Sequence, residues 1–399
     1  MKFKVDRNRL LEAMQKASQA VTGKSSRLLN EIYRCFVFKA RNESLTVTAT
    51  DGEIYISTRV GIKNTDGDKD FALYAPQFLK AIKSVDPQEL TIEVLEYQVI
   101  VTHEVGSFAL PLTDMSDMSQ APYADVDSKK ALDYSRVHRH TFEAPGLLSI
   151  LNKCKYAMAE DELRPVMNGV VMSLKETHTD FVASDGHKLV RIRKASITDS
   201  RPADFIFPKK VVNILLKILP KTGFVDTWFN EYAVDWKSEE HPGEQTPKSG
   251  CLMSVEGTEI LFKPIPGRYP SYNSVIPTTF TKELTIDRIQ LLKSLQRLSQ
   301  FTAESGLIIW NLNPTRLMLQ AEDTDFSVNG SETLPCTYKG EVCRLGFKDY
   351  SFVQTLQNST APEIVMKGSG ITAAFIIEPI PQPDNEEVTM LLMPMLIND

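Results

Sequence analysis

Only five cysteines occur in the 399 residues, Cys35, Cys154, Cys251, Cys336 and Cys343, and no two of them form a CxxC pair. An odd and scattered set gives neither a disulfide framework nor a zinc site, and it fits a reducing, cytoplasmic compartment. Long apolar runs are missing as well. No stretch approaches the roughly 20 residues that a membrane helix needs, and the opening MKFKVDRNRLLEA is too charged for a secretory signal core. Nor is there a surplus of base, with 51 acidic against 45 basic residues and a net charge of -6. A polyanionic partner would therefore have to meet segregated charge rather than an overall excess. Glycine loops of the Walker or dinucleotide type are absent, and no nucleophile, base and orienting group can be assembled, so neither catalysis nor a cofactor or metal is expected. His138-Arg139-His140 could bring two imidazoles to one side of a strand, but nothing with ligand spacing stands nearby. Asp185-Gly186-His187 reads as a hairpin turn, because Asp51-Gly52 holds the same place earlier without a histidine.

What is present is a repeat. DRNRLLEAMQKASQAV, from Asp6 to Val21, returns without a gap as DRIQLLKSLQRLSQFT, from Asp287 to Thr302, with Lys16 answered by Arg297. A weaker copy, EAPGLLSILNKCKYAM, runs from Glu143 to Met158 and keeps Leu147, Leu148, Leu151 and Lys153 in register. The period of about 140 residues is domain-sized, and it divides the chain into 1–130, 131–278 and 279–399. Hydrophobic content of 42% and charged content of 24% are those of packed globular domains.

Each copy predicts an amphipathic helix, with Leu10, Met14, Ala17 and Val21 spaced to form one buried stripe. The first third continues with a strand over Tyr33 to Ala40, a hairpin over Leu45 to Thr58, a helix opened by Pro76 and strands at Leu90 to Leu95, Val99 to His103 and Ser107 to Leu112. The middle third repeats the order, with strands at Gly169 to Leu174 and Thr179 to Ile192 and a helix from Pro208 to about Leu219. Ser238 to Gly250 is a hydrophilic insert that predicts a mobile loop, and Lys263 to Pro277 is proline-rich and predicts an extended, solvent-facing link. The last third predicts strands at Gly306 to Asn311, Leu317 to Gln320 and Asp325 to Ser331 and a helix near Phe347 to Gln357. Its apolar end, Met390 to Met395, is expected to be strand-paired and then to line a pocket or interface.

On the polar side of the three related helices stand Glu12, Gln15, Lys16 and Gln19, then Ser149, Asn152, Lys153 and Tyr156, then Lys293, Gln296, Arg297 and Gln300. Four cations to one carboxylate runs against the composition and points to a polyanion. Lys24, Arg27, Arg164, Lys209, Lys210, Lys217 and Lys221 gather near helix ends. With no interleaved aromatics and no recognition helix, sequence-independent contact with a duplex backbone is the expectation.

Jointly, the opening MKFKVDRNRLLEAM, LTVTATDGE, RPVMNGV, VASDGHKLVRI, GRYPSYNSVIP and the terminal LLMPM resemble the bacterial replicative sliding clamps, the beta subunits of DNA polymerase III, over essentially the whole chain. The resemblance implies an α+β fold of three repeated domains, each with two helices on antiparallel sheets. Two such chains would close head to tail as a ring around double-stranded DNA. It implies a non-catalytic processivity factor that tethers the polymerase III alpha subunit, the clamp loader and other partners bearing short motifs. DNA contacts carry over to Lys24, Arg27, Arg164, Lys209 and Lys210, joined by Lys153, Lys293 and Arg297 from the helix faces. A partner-peptide pocket carries over to Met167, Ser184, Gly186, His187, Leu189, Pro270, Val275, Leu391, Leu392, Met393, Pro394 and Met395. A dimer contact carries over to Phe78, Ile82, Phe108, Leu110 and Phe301. Lys188, Ser274 and Leu396 stand where many members have arginine, and Ser351 where an aromatic is common. The rival readings are an enzyme with His187 and Asp185 in a cleft, or a protein scaffold on the same triplicated fold.

Overall fold

The computed structural model describes residues 1–21, 31–115, 137–233 and 248–397. Within them each third of the chain runs strand, helix, strands, helix, three strands. The helices are α1 (Arg7–Ala17), α2 (Ala75–Ser84), α3 (Ala144–Lys155), α4 (Lys209–Ile218), α5 (Arg288–Leu298) and α6 (Asp349–Gln357).

The identities shared by the first and last copies have definite local jobs. Asp6 accepts the Arg9 N–H at 2.9 Å, and Asp287 accepts that of Gln290 at 2.7 Å, so each helix begins on a side-chain cap. Arg7 then reaches to the carbonyls of Ile82 and Lys83 in the last turn of α2, and Arg288 to those of Leu356 and Ala361 at the end of α6. Ile82, Lys83 and Leu356 lie in the last turns of their helices and Ala361 beyond the end of α6, where a cation suits the helix dipole. Ser18 and Ser299 close the helices by donating to Gln15 and Leu295. The predicted stripe is buried at Leu10, Met14 and Ala17, with Ala13 added, while Val21 is half-buried.

The chain packs as two compact units, Met1–Pro145 with Lys217–Pro264, and Gly146–Leu216 with Ile265–Asp399. In the first, strands Lys2–Asp6, Glu89–Val94, Gln98–His103 and Gly106–Pro111 form a four-stranded sheet in that order. Its second sheet has eight strands, because Ile54–Gly61 of the first repeat pairs antiparallel with Thr258–Phe262 of the second, setting Tyr55 opposite Leu261. The other unit repeats this arrangement. Strand Lys188–Lys194 pairs with Glu387–Leu392, setting Leu189 opposite Leu391 in a nine-stranded sheet, and a four-stranded sheet ends on Val328–Pro335. Each seam thus joins the strand after a hairpin turn in one repeat to the last strand of the next.

The hairpins share their chemistry. Asp51 accepts the N–H groups of Glu53 and Ile54 at 3.0 and 2.8 Å, and Asp185 those of His187 and Lys188 at 2.9 and 2.8 Å. Gly52 and Gly186 supply the positive φ of 93° and 94° that the turn requires.

Three expectations change. The link before the last repeat is not simply solvent-facing: Tyr269 is buried, and the Ile265 N–H bonds the Ile206 carbonyl. The strand expected from Asp325 starts at Val328, because Asp323 holds the N–H groups of Asp325 and Phe326 in a turn. Of the expected loop Ser238 to Gly250, positions 238–247 lie outside the described residues, and Lys248–Val255 is a strand.

Candidate docking groove and cationic helices

Leu189 and Leu391, opposite one another at the second seam, share a buried cluster with Val171, Val182, Ile206 and Tyr269, flanked by the half-buried Val166, Tyr272 and Ile276. Burying these side chains is what makes the seam more than a backbone ladder. The terminal segment is fixed beside it: the Met393 N–H donates to the His187 carbonyl at 2.9 Å and the Met395 N–H to that of Gly346 at 2.8 Å. Met393 is 39% exposed and Val275 54%. Met167 and Leu392 are buried, Ser184, Pro394 and Met395 half-buried, and Gly186, His187 and Pro270 exposed. The predicted pocket residues therefore divide into buried and exposed members.

One rim is polar. Gln354 donates to the Tyr350 hydroxyl at 2.9 Å and accepts from Lys188 Nζ at 3.5 Å, and Lys188 pairs with Asp185 at 3.2 Å. Asp185 is thus engaged by its own turn and by Lys188, and among the described residues no hydrogen bond joins its carboxylate to the His187 ring. His138 is buried in strand Val137–Glu143, and the described residues contain no cluster suited to a metal. Ser351 is half-buried in α6, and its carbonyl accepts from the Thr355 hydroxyl at 2.8 Å.

Tyr272 anchors the opposite side. Its hydroxyl bonds Asp180 at 3.0 Å, and Asp180 also meets Lys175 Nζ and Arg193 Nε, each at 2.8 Å. Burial alone would raise the Asp180 carboxyl, but the hydrogen bonds from Arg193 and Lys175 outweigh it and hold the group far below the usual carboxylate range. Nothing in the sequence marks Asp180 or Tyr272 as a pair, since they are 92 positions apart.

The predicted cations fare differently. Lys24 and Arg27 lie outside the described residues. Lys210 and Lys293 are exposed. Arg164 is bonded to Asp161 at 2.8 Å, and its guanidinium covers Gly186, 3.3 Å from where a Cβ would stand. Lys209 pairs with Glu160. Lys153 turns inward to Glu386 at 2.6 Å in a pair whose side chains are only 17% and 8% exposed, and Arg297 grips Glu332 with two bonds of 2.6 Å. Neither was legible as a pair, because Glu386 is 233 positions from Lys153.

The dimer set needs a correction. Phe78 and Ile82 are wholly buried by their own repeat, with Phe78 edge-on to Phe38 at 5.6 Å, and Leu110 is 4% exposed. Such side chains leave no surface for a second chain. Phe108 is half-buried on the edge strand Gly106–Pro111, and Phe301 is 37% exposed.

Thrice-repeated helix pairs on shared antiparallel sheets define the sliding-clamp class of fold. The chain belongs to the DNA polymerase III beta subunit family, matching its N-terminal domain over residues 1–122 and its central domain over residues 142–244, together more than half of the chain. It is 23% identical to the beta sliding clamp of Chlamydia pneumoniae, with all of both chains covered, and 22% identical to that of Bacillus subtilis, with 99% of each covered. Among solved structures, the DNA polymerase III beta subunit of Pseudomonas aeruginosa matches with a TM-score of 0.85 at 19% identity and that of Thermotoga maritima with 0.84 at 18%, each over 100% of both chains.

Proposed function

We propose that this chain is a DNA sliding clamp: two copies close head to tail into a ring that encircles duplex DNA without reading its sequence, and the groove tethers the replicative polymerase, the clamp loader and other partners. Three repeats, 1–130, 131–278 and 279–399, make up each protomer, which works in the cytoplasm and catalyses nothing. The observation that carries the reading is the pair of unmatched edges. Within the chain, the strand after a hairpin turn twice pairs with the last strand of the following repeat. Val328–Pro335, after the third repeat's turn, and Gly106–Pro111, the last strand of the first repeat, are the two members of that series left at sheet edges. An open edge is a template for another chain, and a head-to-tail contact of this kind makes a ring when its rotation closes. Val105, Phe326 and Val328 stand exposed at these two edges, 88%, 80% and 39% respectively.

A ring holds DNA by topology, while cations hold it near the protein without base readout. The test is retention on DNA. After loading onto a nicked circle, the protein is expected to survive a wash in high salt, which screens ion pairs, and to leave once the circle is cut. Equal loss from circular and linear DNA would sink the reading.

The extended groove suits a short peptide that inserts apolar side chains, and the unbranched methionines of its rim can repack around different partners. The enzyme reading has no comparable support, because Asp185 serves its turn and Lys188.

A further inference from the structure

Lys16, Lys153 and Arg297 occupy one register position in the three related helices. Each meets a carboxylate of its own chain: Lys16 bonds Glu12 at 2.9 Å, Lys153 bonds Glu386 at 2.6 Å and Arg297 bonds Glu332 at 2.6 Å. Ser294 adds a 2.6 Å bond to Glu332 from the helix side, and Lys194 a 3.4 Å contact to Glu386. A cation so held presents a dipole to a phosphate, and drawing it away would uncover a carboxylate facing the same anion. For the mostly covered Lys153–Glu386 pair that exchange is especially unfavourable.

The second helices differ. α2 and α4 contain five lysines and no acidic residue, whereas α6 has Asp349 and no base. Lys80 and Lys83 of α2 are exposed, and neither has a carboxylate partner among the described residues. Lys217, exposed near the end of α4, donates to Gln19 Oε1 at 3.1 Å. That contact steers the ammonium without cancelling its charge, because the amide is neutral. Gln19 and its counterpart Gln300 belong to the repeated signature.

Resting on the sliding-clamp reading, we propose that Lys80, Lys83 and Lys217 contact duplex phosphates, and that the position shared by Lys16, Lys153 and Arg297 does not. Each shared cation is neutralised by a carboxylate of its own chain. Electrostatic attraction then comes chiefly from the second helices of the first two repeats, with Lys293 the exposed contribution of α5.

The experiment is binding of a short fluorescent duplex to the full-length protein by anisotropy over a series of salt concentrations. Each phosphate contact contributes about 0.9 to the slope of log affinity against log salt. The triple variant Lys80→Gln, Lys83→Gln, Lys217→Gln is expected to lower that slope by about 2 to 3. The variant Lys16→Gln, Arg297→Gln, which avoids the buried pair and so keeps the fold, is expected to leave it unchanged. A slope lost in the second variant and kept in the first would overturn this assignment alone. Salt-insensitive binding, or none, by the unaltered protein would overturn this assignment, while the clamp reading itself falls only by equal loss from circular and linear DNA.

Discussion

The hydroxyl of Tyr272 meets the Asp180 carboxylate at 3.0 Å, tying the proline-rich link to a buried acid that Lys175 and Arg193 already hold. The link is thereby fixed against the seam cluster. Asp180→Asn would leave two cations facing one another without their anion, and a loss of about 3 kcal/mol is expected, read by urea unfolding. The pH dependence has a definite sign. With its folded pKa depressed, Asp180 contributes stability that is fully present above the unfolded value of about 4 and is lost as pH falls toward the lower folded value. Acid unfolding below about pH 4 should therefore be shallower in Asp180→Asn than in the unaltered protein.

Arg288→Met tests the bond between helices of the last repeat. It removes two charged donors from the carbonyls of Leu356 and Ala361 and should cost about 2 kcal/mol. Amide exchange is expected to quicken at the end of α6, with little change in α2, where Arg7 makes the corresponding contacts.

At the groove, Met393→Ala should weaken a peptide carrying glutamine followed by leucine and phenylalanine by about 1 to 2 kcal/mol in calorimetric titration. Val275→Asp should weaken it further by placing a charge on the exposed rim. Leu189→Ala is a poorer probe. Its side chain is 2% exposed in the seam cluster, so about 2 to 5 kcal/mol of stability would go with it. Unchanged affinity in both rim variants would move the docking site elsewhere.

The edge strands give a separable prediction. Phe108→Asp places a charge on the outermost strand of its sheet without touching the buried Phe78 and Ile82. Mass photometry is expected to show a shift from dimer to monomer while the melting temperature of the protomer holds. A dimer of undiminished stability would exclude this edge from the contact.

Much of the fold was legible because the repeated letters are those with fixed local duties. Asp6 and Asp287 cap, Arg7 and Arg288 reach a neighbouring helix, and Asp51 and Asp185 hold turns within three residues. The resemblance also carried Phe78 and Ile82 over as a dimer contact, but apolar letters on a helix do not say whether its own sheet or another chain covers them. The groove floor and the ion pairs escaped for a different reason. Leu189 with Leu391, and Lys153 with Glu386, are cross-strand or cross-repeat neighbours whose sequence distance carries no periodic signal.

The seams have a mechanical corollary. Joined as Leu189 is to Leu391 or Tyr55 to Leu261, two repeats of one chain are held both by a ladder and by the covalent thread that runs on between them. Between two chains the same joint would have the ladder alone. A pulling force on a closed pair would then part it at the untethered joint first, and the break would heal without refolding, because each half keeps its own core. The hinge of such a ring is thus set by the joint that lacks a covalent thread, and joining two copies with a short peptide across one joint would leave a single gate.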